Sequence, residues 1–584
     1  MSIYRSRPQT MDDLVISNSQ SDGALRIAVV GCGPKGMYCL ERLVSQLSPI
    51  PDSVRVHVTI FDAADYFGAG NVYHPDQPDF LRLNFAAKHV NAWMTEPSGP
   101  NNGSSLGGGQ LCNAKTVAGP SLLQWLAIHE PTLADGEAYV PRSVVGRYLH
   151  ECYQRVRAEL SQLADVCEDR RSVKQITRYG DRWLLTVDQD SFLYDEVLVT
   201  VGHEGWRAAP HVETIVPTRT IPSVYPVQPQ LSPRKIPPQC TVAVQGFGLT
   251  WIDAALALTE GRGGTFDRHD GEWTYQPSGT EPNRIIPFSR SGRPMLAKPT
   301  DTLVRAPKNL DEVWRLHCKQ IHDIDDREID FEKVLWPIIC QAANDALELC
   351  DASAPRVEQW FDDWLTNDWD HMAIVQAMQH SCEVAAGQRD VDPPWALGQA
   401  WRSLYCELVP AISHGRMKSE SWVVFRRIAA EMERIAFGPP GENLRRILAL
   451  VRANIVDFRF LQSPHVCRNL NSLQISNNGR TAIADRVIHA VIPTPLNASL
   501  GGPIASLVMQ GLVMRNKATG AIDIDPAGNP IDPDGNPLPG LAVIGRPTEG
   551  CVLGNDTLSR KLHSHPHHWA GRVAKRCANW RGKS

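Results

Sequence analysis

Apolar residues run unbroken through Ile27-Ala28-Val29-Val30, then follow helical spacing from Met37. They alternate with polar ones from Val54 to Phe61. A short apolar run and a period-two run on either side of a helical stretch predict strand, helix, strand. Further on, Gly119 to Leu126 opens a helix and Ser143 to Leu160 reads as another. Val173 to Val187 and Ser191 to Val201 read as antiparallel strands about polar turns. The opening pattern then recurs: a strand Thr241–Gln245, a helix from Ile252 to Glu260, a hairpin over Trp273–Pro282 and a strand from Arg284. From Asn309 to Phe458 glycine is sparse and helical spacing dominates, as in Leu310–Ile324, Phe331–Cys350 and Trp422–Ala436. β-type sequence resumes at Leu473–Ser476 and Ala484–Ile492, and a last strand is predicted at Leu541–Ile544.

The turns between these elements carry the chemistry. Gly31, Gly33 and Gly36 have the spacing G-x-G-x-x-G between a strand and a helix. The first glycine permits the tight turn, the second lets backbone approach a pyrophosphate, and the third lets helix and strand pack closely. The helix N-terminus offers free N–H groups and a positive dipole end to phosphate. Asp62, at the end of the second strand, suits ribose hydroxyls. Gly31, Gly33, Pro34, Lys35, Gly36 and Asp62 are therefore candidate contacts for FAD or NAD. Gly246 and Gly248 repeat the turn, with Trp251 at the third glycine's place, which predicts a wider helix–strand approach. The strand after it ends in Ser289, Arg290 and Arg293 instead of an acid. Guanidinium groups there suit the 2′-phosphate of NADPH. The strand end at Gly202-His203 and the turn holding Gly545 and Asn555 are candidate flavin contacts.

These elements give an α/β fold with two Rossmann-like dinucleotide-binding domains, for FAD and NADPH, and a helical insertion. The divisions are 1–24 a mobile arm, 25–237 an FAD-binding domain, 238–304 the first part of an NADPH-binding domain, 305–455 the insertion, 456–496 the return of the NADPH-binding domain and 497–584 the C-terminal part of the FAD-binding domain. The insertion holds eight of sixteen tryptophans, most expected as packing and a minority as walls of an apolar reaction chamber.

Composition narrows the partners. The 584 residues carry a formal net charge of −5, which gives no reason to expect nucleic acid or an anionic membrane. No apolar run is long enough for a membrane span. Residues 1–24 lack the pattern of a signal peptide, so a cytoplasmic protein is expected. Fourteen cysteines include no C-x-x-C pair, and none is expected to bind metal. The histidines at 563, 565, 567 and 568 are too closely spaced around Pro566 for a designed metal site. Asp525–Gly540 reads as two successive reverse turns, not a calcium loop.

The stretches GCGPKGMYCLERL, LNFAAKHVNAW, GPSLLQWL, VPRSVVGRYL and IPFSRSGRP resemble those of bacterial FAD/NAD(P)-binding proteins related to flavin-dependent N-hydroxylating monooxygenases. The insertion and the ending LAVIGRPTEGCVLGNDTLSR are most similar to the aspartate N-monooxygenases that form nitrosuccinate. The resemblance implies FAD and NADPH as cofactors, O2 and a small amino acid as substrates, and a flavin C4a-hydroperoxide as oxygen donor. It places Asn84 to Asn91 against the flavin, with Asn84, Lys88 and Asn91 as catalytic candidates; a turn-forming role is equally open for each. A dicarboxylate substrate needs basic clamps. Lys298, Arg305 and Arg445 are candidates that the sequence does not rank. A reductase without oxygenation, or a nucleotide-fold scaffold, is the alternative, and self-association is left open.

Overall fold

The computed structural model describes residues 23–50, 54–94, 117–203, 207–208, 219–269, 271–299, 307, 309–325, 328–468, 472–492, 498–499 and 501–580. Nearly all of the N-terminal arm, most of the Glu96–Gly119 loop and Arg305 lie outside these residues.

Two parallel sheets organise the chain. The first has the order Leu541–Val543, Glu196–Val199, Leu25–Val30, Val56–Phe61, Asp165–Asp169. The second has the order Arg284–Phe288, Thr241–Gln245, Arg486–His489, Thr220–Ile221. In each, the strand before the glycine turn pairs in parallel with the strand after its helix. Such strands are buried on both faces, which explains the continuous apolar runs. Leu25 and Ile27 to Val29 are fully buried, as are Val242 to Val244.

The two units share a further plan. A three-stranded antiparallel meander precedes the returning parallel strand in both: Gln175–Tyr179, Arg182–Val187, Asp190–Tyr194 in the first, and His465–Arg468, Leu473–Asn477, Arg480–Ala484 in the second. One aspartate marks each junction. Asp195 Oδ2 accepts from Arg26 N at 2.9 Å, and Asp485 Oδ2 accepts from Thr241 N at 2.9 Å. Each aspartate N–H donates back to the same partner's carbonyl, at 2.9 and 2.8 Å. Val173–Val187 is therefore two strands with a reversal at Gly180, and Ser191–Val201 changes sheets at Asp195. A period-two pattern does not show such a break, because side-chain alternation continues through it.

Elsewhere the predicted elements shift modestly. The second nucleotide helix spans Leu249–Ala257, and the hairpin pairs Thr265–His269 with Glu272–Gln276, starting before Trp273. Trp251 is buried against Phe247 and Phe458, with ring centroids 4.9 and 6.0 Å away. Among the described residues the insertion holds seven α-helices: Leu310–His322, Trp336–Leu349, Val357–Thr366, His371–Ala385, Pro393–Ile412, Ser421–Ile435 and Gly441–Arg452. Its core is continuous with that of the second sheet.

Ion pairs tie the parts together. Arg142, at the start of the helix Arg142–Leu160, meets Asp253 of the second nucleotide helix at 2.8 Å, and Tyr225 of the linker hydrogen-bonds both. The last helix, His565–Ala578, packs on the first, Pro34–Leu47, and Arg560 reaches the fully buried Glu41 at 2.6 Å. Asp525 and Asp532 each cap a turn by accepting backbone N–H groups two and four residues on, so 525–540 is the doubled turn. No described helix is long and apolar enough to cross a membrane.

Candidate functional site

The first glycine turn is shaped by close approaches. Gly31 has φ +86°, and a Cβ there would lie 2.9 Å from the backbone of Thr200 and Val201. At Gly36 a Cβ would lie 2.7 Å from Gly31 O and 2.9 Å from Thr200 Oγ1. Those two atoms are hydrogen-bonded to each other, so the turn, the helix and the third strand meet with no space for a side chain. Gly33 faces open space, with its nearest neighbour Gly70 Cα at 3.7 Å. This is the place where backbone can approach a phosphate. Asp62 is turned onto the loop: Oδ2 accepts from Cys32 N at 2.6 Å and Oδ1 from Ala64 N at 2.9 Å. Burial raises its pKa, and those two N–H groups oppose the rise.

The second turn repeats this geometry. Gly246 has φ +117° and a Cβ there would meet Ala490 O at 2.9 Å, at the equivalent strand exit. Gly248 has nothing within 4 Å. Both turns therefore fit a dinucleotide, each with a crowded first glycine and an open second one.

The basic residues after the second turn separate. Arg293 is engaged: its Nε and Nη2 pair with Glu431 at 2.9 Å each, and Nη1 reaches Leu365 O at 3.2 Å. The Arg293 guanidinium, expected from sequence at a phosphate, is thus engaged by Glu431 and Leu365. Arg290 is exposed beside the turn. Ser289 Oγ accepts from Gly292 N at 3.0 Å. Arg434, with no distinguishing sequence signal, donates to Phe247 O at 3.2 Å inside the glycine turn.

A charged cleft lies beside the first turn. Lys35 is on its rim; Gly545 sits where a Cβ would be 4.0 Å from Lys35 Cγ. Burial lowers the Lys35 ammonium to about 8, against the pull of Asp556. Arg546 follows Gly545 and pairs with Asp556 at 2.9 Å. Burial alone would raise Asp556, but Arg546 and His203 hold it below the usual carboxylate range. His203 is lowered by burial and by Arg546, so it is neutral near pH 7. Glu549 accepts from Gly554 N at 3.1 Å and Asn555 N at 3.2 Å, and burial beside Asp556 raises it. Asn555 itself is fully buried and donates to Thr548 Oγ1 at 2.7 Å, which makes it a strut of the turn.

The other wall comes from Asn84 and the insertion. Lys298 Nζ donates to Asn84 O at 2.9 Å and lies 4.7 Å over the Phe85 ring. Asn84 Nδ2 reaches Phe437 O at 3.5 Å. Tyr405 packs on Phe437 with centroids 5.8 Å apart, and a Cβ at Gly554 would come within 2.8 Å of its hydroxyl. Glu433 faces Asp556, Arg546 and Lys298. Water reaches Glu433 and Asp556; surrounding protein raises Glu433, whereas at Asp556 Arg546 and His203 outweigh the same effect.

The remaining candidates have other partners. Lys88 pairs with Glu137. Asn91 Oδ1 accepts from Trp93 N at 3.1 Å and so forms a turn. Arg445 donates to Cys382 O at 3.0 Å, at the C-terminal end of the helix His371–Ala385, and does not join Lys298. The tryptophans do line a cavity, of about 270 Å³, walled by Trp360, Trp364, Trp369 and Trp395. It shares no lining residue with the charged cleft, so the insertion contributes Tyr405 and Glu433 to the cleft rather than an aromatic chamber.

Residues 28–204 match the FAD-NAD(P)-binding family model. The chain is similar to the L-aspartate N-monooxygenase (nitrosuccinate-forming) of Streptomyces cremeus, at 28% identity over 54% of this chain and 50% of that one. The match therefore spans about half the length of that relative. It is similar also to the nitrosuccinic acid synthase of Aspergillus oryzae, at 23% identity over 74% of this chain and 72% of that one. Among solved structures, the ornithine N-hydroxylase of Kutzneria sp. 744 aligns at a TM-score of 0.43 and 12% identity, covering 95% of this chain and 99% of that chain.

Proposed function

We propose that this protein is an FAD- and NADPH-dependent N-monooxygenase acting on a small amino acid, with L-aspartate favoured by the names of its relatives. The observation that carries the reading is the cleft beside the first glycine turn. It brings two cations, Lys298 and Arg546, and the water-accessible carboxylate Glu433 to one place. An amino dicarboxylate needs that combination of charges.

In this reading Gly31, Gly33 and Gly36 take the FAD pyrophosphate, and Gly246 and Gly248 take that of NADPH. Bound FAD supplies the redox chemistry with O2, which side chains cannot. Lys298 and Arg546 orient the substrate carboxylates, and Tyr405 and Phe437 narrow access for water, which protects a reactive oxygen donor.

Arg290 and Arg293 test the cofactor assignment together. Arg290→Ala is expected to leave the melting temperature unchanged and weaken NADPH about tenfold or more while sparing NADH, since one charge-assisted hydrogen bond contributes about 1.5–3 kcal/mol. Arg293→Ala is expected to destabilise the fold by about 1.5–3 kcal/mol, because the buried Glu431 loses its two-pronged charged donor and keeps only Trp364 Nε1 at 3.0 Å and Arg434 at 3.8 Å. Coenzyme titrations and thermal melts of both variants check this. Equal loss of NADH and NADPH in Arg290→Ala would remove the phosphate role.

A further inference from the structure

Two cysteines of the insertion meet where two of its helices pack. Cys318 lies on the helix Leu310–His322 and Cys406 on the helix Pro393–Ile412. Both thiols donate to one acceptor, Ser403 O, at 3.6 Å each. The two sulfurs therefore lie at most twice that distance apart. One turn beyond Cys318, His322 Nδ1 meets Glu407 Oε2 at 3.2 Å, which holds the register between the helices. Cys406 is exposed and Cys318 is half-buried, so solutes reach Cys406 first. Pro410, in the same helix, has no N–H for the Cys406 carbonyl four residues back. The turn that carries Cys406 thus has one backbone hydrogen bond fewer to hold it in place. Tyr405, the neighbour of Cys406, packs on Phe437 in the wall of the charged cleft.

We propose that Cys318 and Cys406 are a redox-active dithiol that hydrogen peroxide closes to a disulfide, tying the two helices together beside the cleft. The inference goes beyond the N-monooxygenase reading, in which reduced flavin meeting O2 without substrate would supply that oxidant. In the first step the Cys406 sulfur attacks the O–O bond: Cys406–SH plus H2O2 gives Cys406–SOH plus H2O. In the second the Cys318 sulfur displaces that oxygen: Cys318–SH plus Cys406–SOH gives the S–S bond plus H2O. Two electrons pass from the sulfurs to the peroxide, and the two thiol protons leave in the two waters. The first step needs a thiolate. Hydrogen bonding from Cys318 lowers Cys406 to about 7, against burial and the charge of Glu407. The same contact raises Cys318, and burial adds to the rise. The roles divide accordingly: the exposed Cys406 meets the peroxide and the half-buried Cys318 resolves it. Cys167, which is also exposed, is raised by burial and by Asp169, Asp165 and Glu168, so it serves as a control.

The test treats the full chain with hydrogen peroxide, blocks free thiols under denaturing conditions and maps unreduced peptides by mass spectrometry. The native protein is expected to give a peptide pair joined through Cys318 and Cys406 while Cys167 stays reduced, and dithiothreitol should restore both thiols. In Cys318→Ala, Cys406 is expected to stop at the sulfenic acid and be trapped by dimedone. In Cys406→Ala, Cys318 should stay reduced at the same dose. Before peroxide is added, iodoacetamide at pH 7 should modify Cys406 of the native chain about tenfold faster than in Cys318→Ala, which lacks the thiol that lowers it. Peroxide that leaves both native thiols free, oxidises Cys406 while Cys318 stays free, or joins either one to a different cysteine would overturn the pair. That measurement on the native chain decides the matter even where a variant does not fold. Equal alkylation rates would overturn the part of Cys318 in activating Cys406.

Discussion

Gly36→Val is expected to purify without flavin and with a lowered melting temperature. The reason is steric. A Cβ at this position would stand 2.7 Å from Gly31 O and 2.9 Å from Thr200 Oγ1. Neither can retreat, because Thr200 is fixed to the turn through both its N–H and its hydroxyl. The helix must move off the sheet, and its N-terminus then no longer points at the pyrophosphate. The visible absorbance of the purified protein and a thermal melt measure both effects. Normal flavin content in Gly36→Val would mean that FAD binds elsewhere. By contrast, Gly33→Ala meets nothing closer than 3.7 Å in the protein, so any loss of flavin there reports the approach of the ligand itself.

The second large effect is expected at Lys298. Replacing it by methionine removes one cation from the cleft while keeping the stem over Phe85. A substrate carboxylate left unpaired loses a charge-assisted hydrogen bond of about 1.5–3 kcal/mol, so KM for the amino acid should rise roughly 10- to 150-fold. Reduction of the flavin by NADPH should not change, since the substitution leaves the residues of both glycine turns in place. Lys298→Arg should recover part of the loss. Steady-state kinetics beside anaerobic reduction rates separate the two. A parallel fall in both would show that Lys298 acts only by holding Asn84 through its carbonyl.

The nucleotide turns were legible because their chemistry is local. Glycine spacing, the apolar strand before it and the helix after it lie within a few residues. The same holds for the doubled turn at 525–540, where aspartates bond to backbone two and four residues on. The cleft was only partly legible. Lys298 and Asn84 stood out by residue type, and the structure brings them together. Arg546 lies next to Gly545 in a stretch that drew notice for its turn, not for its charge. Glu433 and Tyr405 sit on amphipathic helices where a polar residue ordinarily faces solvent, so no local signal marks them. Arg293 is the opposite case: its position suggests phosphate, and only the tertiary fold supplies Glu431, 138 residues away, to engage it. The sheet change at Asp195 was hidden because period-two alternation is the same in parallel and antiparallel strands.

The central claim is oxygen transfer to an amine nitrogen. The most direct measurement mixes the FAD-loaded protein with NADPH, L-aspartate and isotopically labelled O2, then determines by mass spectrometry where the label goes. The expected result is a bleached flavin that reoxidises while labelled oxygen appears on the nitrogen of the amino-acid product, in proportion to NADPH consumed. Labelled hydrogen peroxide as the sole product, with L-aspartate and every other small amino acid recovered unchanged, would contradict it.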